Sequence, residues 1–251
     1  MLPWQSDPMS MHVLIPSAGA GSRLPGDAPK QYRRVAGAPI VAHTVSAFLA
    51  CPRVTDITVV VQPGDVLAHA VLPAHPRLRV AEAGGVTRAQ TVIQGLQWLR
   101  ARGVDAKEWA LVHDAARCCV TPDAIERLMD ACERDTVGGL LAVPLADTLK
   151  RAALGSIGRA PHAATTVSRE GLWLAQTPQM FRIGTLLQAL ERSDLAQITD
   201  EASAVEQMGL SPLLVAGSSS NFKVTYAEDL LLAEAILLAR SAPGPRECKH
   251  G

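Results

Sequence analysis

The stretch Val13–Tyr32, VLIPSAGAGSRLPGDAPKQY, decides how the rest of the chain is read. An apolar run, Val13-Leu14-Ile15-Pro16, passes into small residues with Gly19 and Gly21, and then into Arg23 and Lys30. Small residues let backbone N–H groups come close to a phosphate, and glycine adds backbone freedom. Arg23 and Lys30 supply positive charge. Two familiar phosphate loops come close and neither fits. A P-loop needs Gly-Lys before Ser or Thr, and no glycine precedes Lys30; the dinucleotide fingerprint needs a third glycine where Leu24 stands. On this loop alone, a phosphate cradle and a plain strand-to-helix turn with a solvated basic edge are equally good readings.

The pattern around the stretch selects the fold. His12–Pro16, Asp56–Gln62, Arg77–Ala81, Trp109–His113 and Gly139–Val143 are short apolar or β-branched runs, hence buried strands. Between them lie helical patterns at Pro39–Ala50 and Arg88–Arg102, and a helix that Thr121 caps and Pro122 begins. This alternation predicts an α/β fold with a mainly parallel sheet and helices on both faces. After Pro144 the pattern changes. Residues 145–175 predict a projecting β-arm, with strands near Thr148–Ala153 and Thr165–Ser168. Helices at Gly184–Arg192 and Asp200–Met208, a strand at Pro212–Ala216 and a closing helix at Ala227–Arg240 complete one domain over residues 11–240. Residues 1–10 and 241–251 are expected to be flexible ends.

Composition narrows the function classes. Of 251 residues, 48% are apolar and 19% charged, enough for a substantial core. Lys plus Arg equals Asp plus Glu at 24 each, which argues against a general nucleic-acid binder but leaves room for a local basic pocket. Five cysteines form no Cys-x-x-Cys pair, so free thiols in a reducing cytoplasm are the simplest reading. The N-terminus lacks the basic start and apolar core of a signal peptide. No apolar run approaches the ~20 residues that span a bilayer, so no membrane partner is expected.

In an open parallel sheet, ligands bind beyond the carboxyl ends of the strands. After the first predicted strand stand Ser17, Ala18 and Gly19. After the third stand Gly84, Gly85, Arg88 and Thr91, which alone are equally a loop and a helix cap. After the fourth comes VHDAAR, His113–Arg117. An acid directly after a buried strand is costly without a partner, which makes Asp114 the best acidic candidate; a helix cap or an ion pair with Arg117 is its plainer reading. His113 is expected to pack or bond locally. Lys223 falls in an apolar-alternating stretch that predicts a strand. No nucleophile–base pair stands out.

These segments, in this order, resemble the 2-C-methyl-D-erythritol 4-phosphate cytidylyltransferases of the non-mevalonate isoprenoid pathway. The resemblance rests on AGAGSRL…PKQY, GGVTRAQTV, VHDAAR, DTLKRA, LWLAQTPQMF, ITDEASAVE and FKVT…EDL, from about Ile15 to Leu230. It implies a Rossmann-like nucleotidyltransferase domain that joins CTP to methylerythritol 4-phosphate, with Mg²⁺, and releases pyrophosphate. Arg23, Lys30 and Lys223 match the catalytic cations. Ser17, Ala18, Gly19, Gly85, Arg88, Thr91, Asp114 and Ala115 match the nucleotide site, with Asp114 near the ribose and metal. Arg169, Thr177 and Thr199 match the sugar-phosphate pocket, and Thr148 and Arg117 match residues brought to it across a homodimer interface through the arm. Since no second domain follows, the form not fused to the next pathway enzyme is expected.

The chain departs from the family pattern at four places, the mildest being Ser17-Ala18-Gly19 where the family has AAG. Cys118 stands for a proline, which should loosen a turn; Val86 stands for an acid near the nucleotide; Ala146 stands for an arginine of the arm. Three rivals remain from the sequence: transfer to ribitol 5-phosphate, a sugar nucleotidyltransferase using another base, and a nucleotide-binding regulator without activity.

Overall fold

A computed structural model describes residues 9–19, 28–153 and 160–241. The first strand, β1 (Met11–Pro16), ends where the small-residue loop begins. The chain resumes at a 3-10 turn, Lys30–Tyr32, whose side chains clamp three separate segments. Lys30 Nζ donates to the Val224 carbonyl at 2.6 Å, Gln31 Nε2 to the Ser17 carbonyl at 2.8 Å, and the Tyr32 hydroxyl to Asp65 Oδ2 at 2.5 Å. A small ladder, β2 (Arg34–Val35) and β3 (Ala38–Pro39), leads into α1 (Ile40–Leu49).

The predicted alternation follows: β4 (Val54–Val60), α2 (Val66–Val71), β5 (Leu78–Ala81), α3 (Arg88–Ala101), β6 (Trp109–Val112), α4 (Pro122–Cys132) and β7 (Gly138–Pro144). Thr121 caps α4 as expected, and Thr87 with Gln90 forms a capping box on α3. A separate hairpin, β8 (Leu149–Ala152) and β9 (Ala163–Val167), comes next. Then β10 (Trp173–Arg182), α5 (Ile183–Arg192), α6 (Glu201–Gln207), β11 (Leu213–Ala216) and α7 (Ala227–Ser241) close the fold.

Seven strands form one sheet in the order β11-β7-β10-β6-β1-β4-β5. All neighbours are parallel except β10, which runs antiparallel between β6 and β7. Side-chain alternation divides the core. Val13 and Ile15 of β1 and Trp109 and Leu111 of β6 join the cluster under α1 and α4. Leu14, Ala110 and Val112 join the opposite cluster under α3, α5 and α6. A third cluster holds Val35, Ala116, Cys118 and Val224. The Cys118 side chain is buried in it, so the thiol takes part in apolar packing at that turn.

Three expectations need correction. Strand β10 was not foreseen, and its first residues already pair with β7, so the base of the hairpin lies at Leu145 and Leu172, joined by a 3.0 Å backbone bond. Pro178 within β10 lacks the N–H a ladder needs, and the β7 pairing is interrupted between Ala175 and Gln179. The stretch around Lys223 is not a strand: residues 222–225 are irregular, and Val224 makes a single backbone bond, to the Ala116 carbonyl at 2.9 Å.

The carboxyl ends of β4 and β5 meet the first loop through Gly84. A Cβ there would lie 2.5 Å from Ala18 Cβ and 2.7 Å from the Val61 carbonyl oxygen. Gly84→Ala should destabilise the fold by about 1–3 kcal/mol, the usual cost of overpacking. A urea midpoint equal to wild type would contradict this close approach.

Candidate active site

Two adjoining cavities are lined by segments that follow β1, β5 and β6. The first is lined by Ser17, Ala18, Gly19 and Lys30 from the β1 side, by Gly85, Val86, Arg88 and Thr91 at the start of α3, and by Asp114, Ala115 and Lys223. The second is lined by Arg117, Gln176, Thr177, Thr199 and Asp200. Arg88, Asp114 and Lys223 line both and stand between them.

Local structure explains each placement. Asp114 follows β6 directly, so the buried strand delivers it to the cleft. Its carboxylate is nearly sealed from water and gathers cations. Arg88 Nε reaches Oδ1 at 2.7 Å, Lys223 Nζ reaches Oδ2 at 2.9 Å, and Arg117 Nε lies 3.6 Å from Oδ2. Burial alone would raise the pKa of Asp114; the charges of Arg88, Lys223 and Arg117 outweigh it and hold the carboxyl well below the usual range. Asp114 therefore stays ionised, and its partners extend beyond the Arg117 pair read from sequence.

The loops that line the first cavity are tied to one another. Thr91 Oγ1 accepts the Gly85 N–H at 3.1 Å and donates to the Thr87 carbonyl at 3.0 Å, so this hydroxyl shapes the glycine loop. Gln62 Nε2 donates to the carbonyls of Gly85 at 2.9 Å and Ala18 at 3.3 Å, bridging the first and third loops. Among the described residues, a Cβ on Gly19 would meet no atom within 4 Å beyond its chain neighbours. Val86 is 94% exposed at the rim.

Some expected residues lie elsewhere. Arg23 falls outside the described residues. Arg117 lines the second cavity of its own chain, where Nη1 donates to the Asn221 carbonyl at 2.7 Å. Thr148 and Arg169 are exposed beside the hairpin strands and line neither cavity. Thr177 is in place, but its hydroxyl is already used, accepting the Asp114 N–H at 3.0 Å and meeting His113 Nδ1 at 3.0 Å.

Sequence reading missed Glu201, which is 1% exposed and grips Arg88 through Nη1 at 2.7 Å and Nη2 at 3.1 Å. It also missed Gln62 and the pair Gln176–Asn221 that pins the Lys223 segment to β10. An acid in the first turn of a helix looks like ordinary dipole chemistry, so Glu201 carried no separate signal.

The described residues form no protein-only metal cluster. Among the described residues, no three histidine, cysteine, aspartate or glutamate side chains gather to hold an ion. Asp114 is the one carboxylate among the residues lining the first cavity, and cations occupy both its oxygens. Mg²⁺ needs oxygen ligands in octahedral array. It keeps several waters and is commonly held by one or two carboxylates with substrate phosphates, so no all-protein cage is required, and in this structure Asp114 is paired with Arg88 and Lys223.

His113 is fully buried, with Nε2 facing the Arg117 carbonyl at 3.2 Å and its ring edge-on to Phe48. Burial lowers its pKa to about 4 from an ordinary 6.5. The unfolded chain thus binds a proton between pH 6.5 and 4 that the folded chain refuses, so this contribution is complete above pH 6.5 and is lost as pH falls toward 4. The loss should amount to about 3 kcal/mol. His113→Gln should flatten the acid limb of unfolding free energy in this window; an unchanged slope would contradict the neutral buried ring.

The family description of 2-C-methyl-D-erythritol 4-phosphate cytidylyltransferase (IspD) matches residues 11–239. A protein of that name from Laribacter hongkongensis is 54% identical over 226 residues, covering 90% of this chain and 95% of its own. A bifunctional IspD/IspF enzyme from Albidiferax ferrireducens is 52% identical over 92% of this chain, which spans only 53% of that relative. A crystal structure of 4-diphosphocytidyl-2C-methyl-D-erythritol synthase superposes with TM-score 0.80 at 40% identity, covering 91% of this chain and 99% of that one. The Francisella tularensis cytidylyltransferase structure does so with TM-score 0.75 at 32% identity, covering 90% and 99%. The family match over residues 11–239 and the 54% identity over nearly the full length of both chains show that the chain belongs to the 2-C-methyl-D-erythritol 4-phosphate cytidylyltransferase family.

Proposed function

We propose that this chain transfers the cytidylyl group of CTP to 2-C-methyl-D-erythritol 4-phosphate, forming 4-diphosphocytidyl-2-C-methyl-D-erythritol and pyrophosphate in isoprenoid precursor biosynthesis. The observation that carries the reading is the Arg88–Asp114–Lys223 group standing between two cavities. In this reading CTP lies along Ser17–Gly19, Gly85 and Thr91. The acceptor phosphate lies by Arg117, Thr177 and Thr199.

The chemistry needs charge more than proton transfer. A phosphate oxygen of the acceptor is already anionic and attacks the α-phosphorus, and pyrophosphate leaves. Bringing two anions together and stabilising the crowded phosphorus calls for fixed cations. Lys223, Lys30 and Arg23 are assigned that role. Lys30 also fastens the backbone beside Lys223, through its 2.6 Å bond to the Val224 carbonyl. No histidine or cysteine lines either cavity among the described residues. Burial pushes the thiols of Cys51 and Cys132 up to about 12, which keeps them protonated and inert. A divalent cation such as Mg²⁺ is then a companion of the triphosphate.

The β8–β9 hairpin is exposed along nearly its whole length. A lone hairpin is marginal in water, which supports a homodimer formed through the arm. In that dimer Thr148 and Arg169 are assigned to the acceptor phosphate. Among the described residues no helix is long and apolar enough to cross a membrane. The buried free thiols support a reducing, cytoplasmic setting.

Purified protein with CTP and Mg²⁺ should release pyrophosphate with methylerythritol 4-phosphate and not with ribitol 5-phosphate. Lys223→Ala and Arg23→Ala should each lower kcat/KM by about 2–4 kcal/mol of transition-state stabilisation. Release with ribitol phosphate alone would overturn the acceptor assignment, and CTP binding without release would favour the regulator reading. Sedimentation should give a dimer that becomes monomeric when residues 149–167 are deleted; a dimer that survives would contradict the role of the arm.

A further inference from the structure

We propose that Glu201 is a positioning residue for Lys223: by occupying both terminal nitrogens of Arg88, it leaves only Nε for Asp114 and so keeps Asp114 Oδ2 on the lysine. The inference rests on the reading above for what Lys223 does, and on geometry for how Lys223 is held.

Glu201 lines neither cavity. Its carboxylate is 1% exposed and would be very costly there without a cation. Arg88 supplies that cation, at 2.7 Å and 3.1 Å. The position of Glu201 is itself fixed from the sheet. Gln179 of β10 donates to Asp200 Oδ2 at 2.8 Å and accepts the Ala202 N–H at 2.7 Å, clasping the first turn of α6 from both sides. A chain of contacts thus runs from β10 through Glu201 and Arg88 to Asp114 and Lys223.

The order of contacts matters because a guanidinium is a fork. Its two terminal nitrogens fit a carboxylate better than Nε alone does. If Glu201 loses its charge, the fork of Arg88 is released and the nearest remaining carboxylate is Asp114. Arg88 can then take both oxygens of Asp114, and Lys223 loses its anchor at the boundary between the cavities. Glu201 never meets substrate; its effect passes through two intervening side chains.

The test uses the full chain with Glu201→Gln and Glu201→Asp. Reductive methylation of Lys223, followed by mass spectrometry with exposed Lys107 as internal reference, reads the anchor without any substrate. Lys223 should react several-fold faster in Glu201→Gln and at an intermediate rate in Glu201→Asp, which keeps a shorter carboxylate. In the same proteins kcat should fall by on the order of tenfold to a hundredfold, with KM for CTP little changed. That loss should vanish in a Lys223→Gln background, because coupled residues are non-additive. Should circular dichroism show that the Gln variant does not fold, the Asp variant supplies the same comparison. An unchanged Lys223 reaction rate in a folded variant, or an equal kcat loss in both backgrounds, would overturn the proposal. If wild type releases no pyrophosphate, the proposed reaction fails, while the methylation rates still decide the role of Glu201.

Discussion

The buried carboxylate of Asp114 is the constraint around which the rest is arranged. A charge so far from water persists only if opposite charge comes to it with good geometry. Arg88 comes from the start of α3, Arg117 from the turn after β6, and Lys223 from the segment after β11. These positions are far apart in the chain, and one acid brings them together. Lys30 then closes the ring from the other end of the sequence by holding the Val224 carbonyl. The sheet supplies the rigid floor: β6 fixes where the carboxylate stands, and the two apolar clusters on either face fix β6.

This arrangement suits a reaction between two anions. The protein as a whole carries balanced charge, yet Arg88, Arg117 and Lys223 gather around Asp114 at the cleft, with Glu201 paired to the far side of Arg88. Cations held in place before substrate arrives need little reorganisation when charge builds at phosphorus. The same scaffold withdraws the other reactive groups. His113 is locked between Thr177 and the Arg117 carbonyl, and the thiols of Cys51, Cys118, Cys119 and Cys132 are buried.

Much of the fold was legible because buried parallel strands are plain apolar runs and helix starts carry cap residues. β1, β4, β6 and β7 announce themselves in that way, as does Thr121 before α4. β10 did not, because its central residues Gln176, Thr177 and Gln179 are polar yet buried, and Pro178 breaks the ladder. Those residues break the strand pattern because they serve the cleft and its supports, which is where a sheet departs from regular pairing. The alternation around Lys223 was real but misleading: Phe222 and Val224 pack into the third cluster from an extended segment outside any sheet. Asp114 and the glycine loops were legible since each follows a strand end. Glu201 and Gln62 were not, because a partner 113 residues away, as Arg88 is from Glu201, leaves no trace in local spacing.

In the proposed reaction, fixed cations bring two anions together for one direct displacement, with no protein group acting as nucleophile. The stereochemical course at the α-phosphorus tests this most directly. CTP made chiral at that phosphorus by a sulfur substitution would be turned over with methylerythritol 4-phosphate and the product configuration assigned by ³¹P NMR. Direct attack predicts inversion. Retention would mean two displacements through a covalent enzyme intermediate, and would contradict the account.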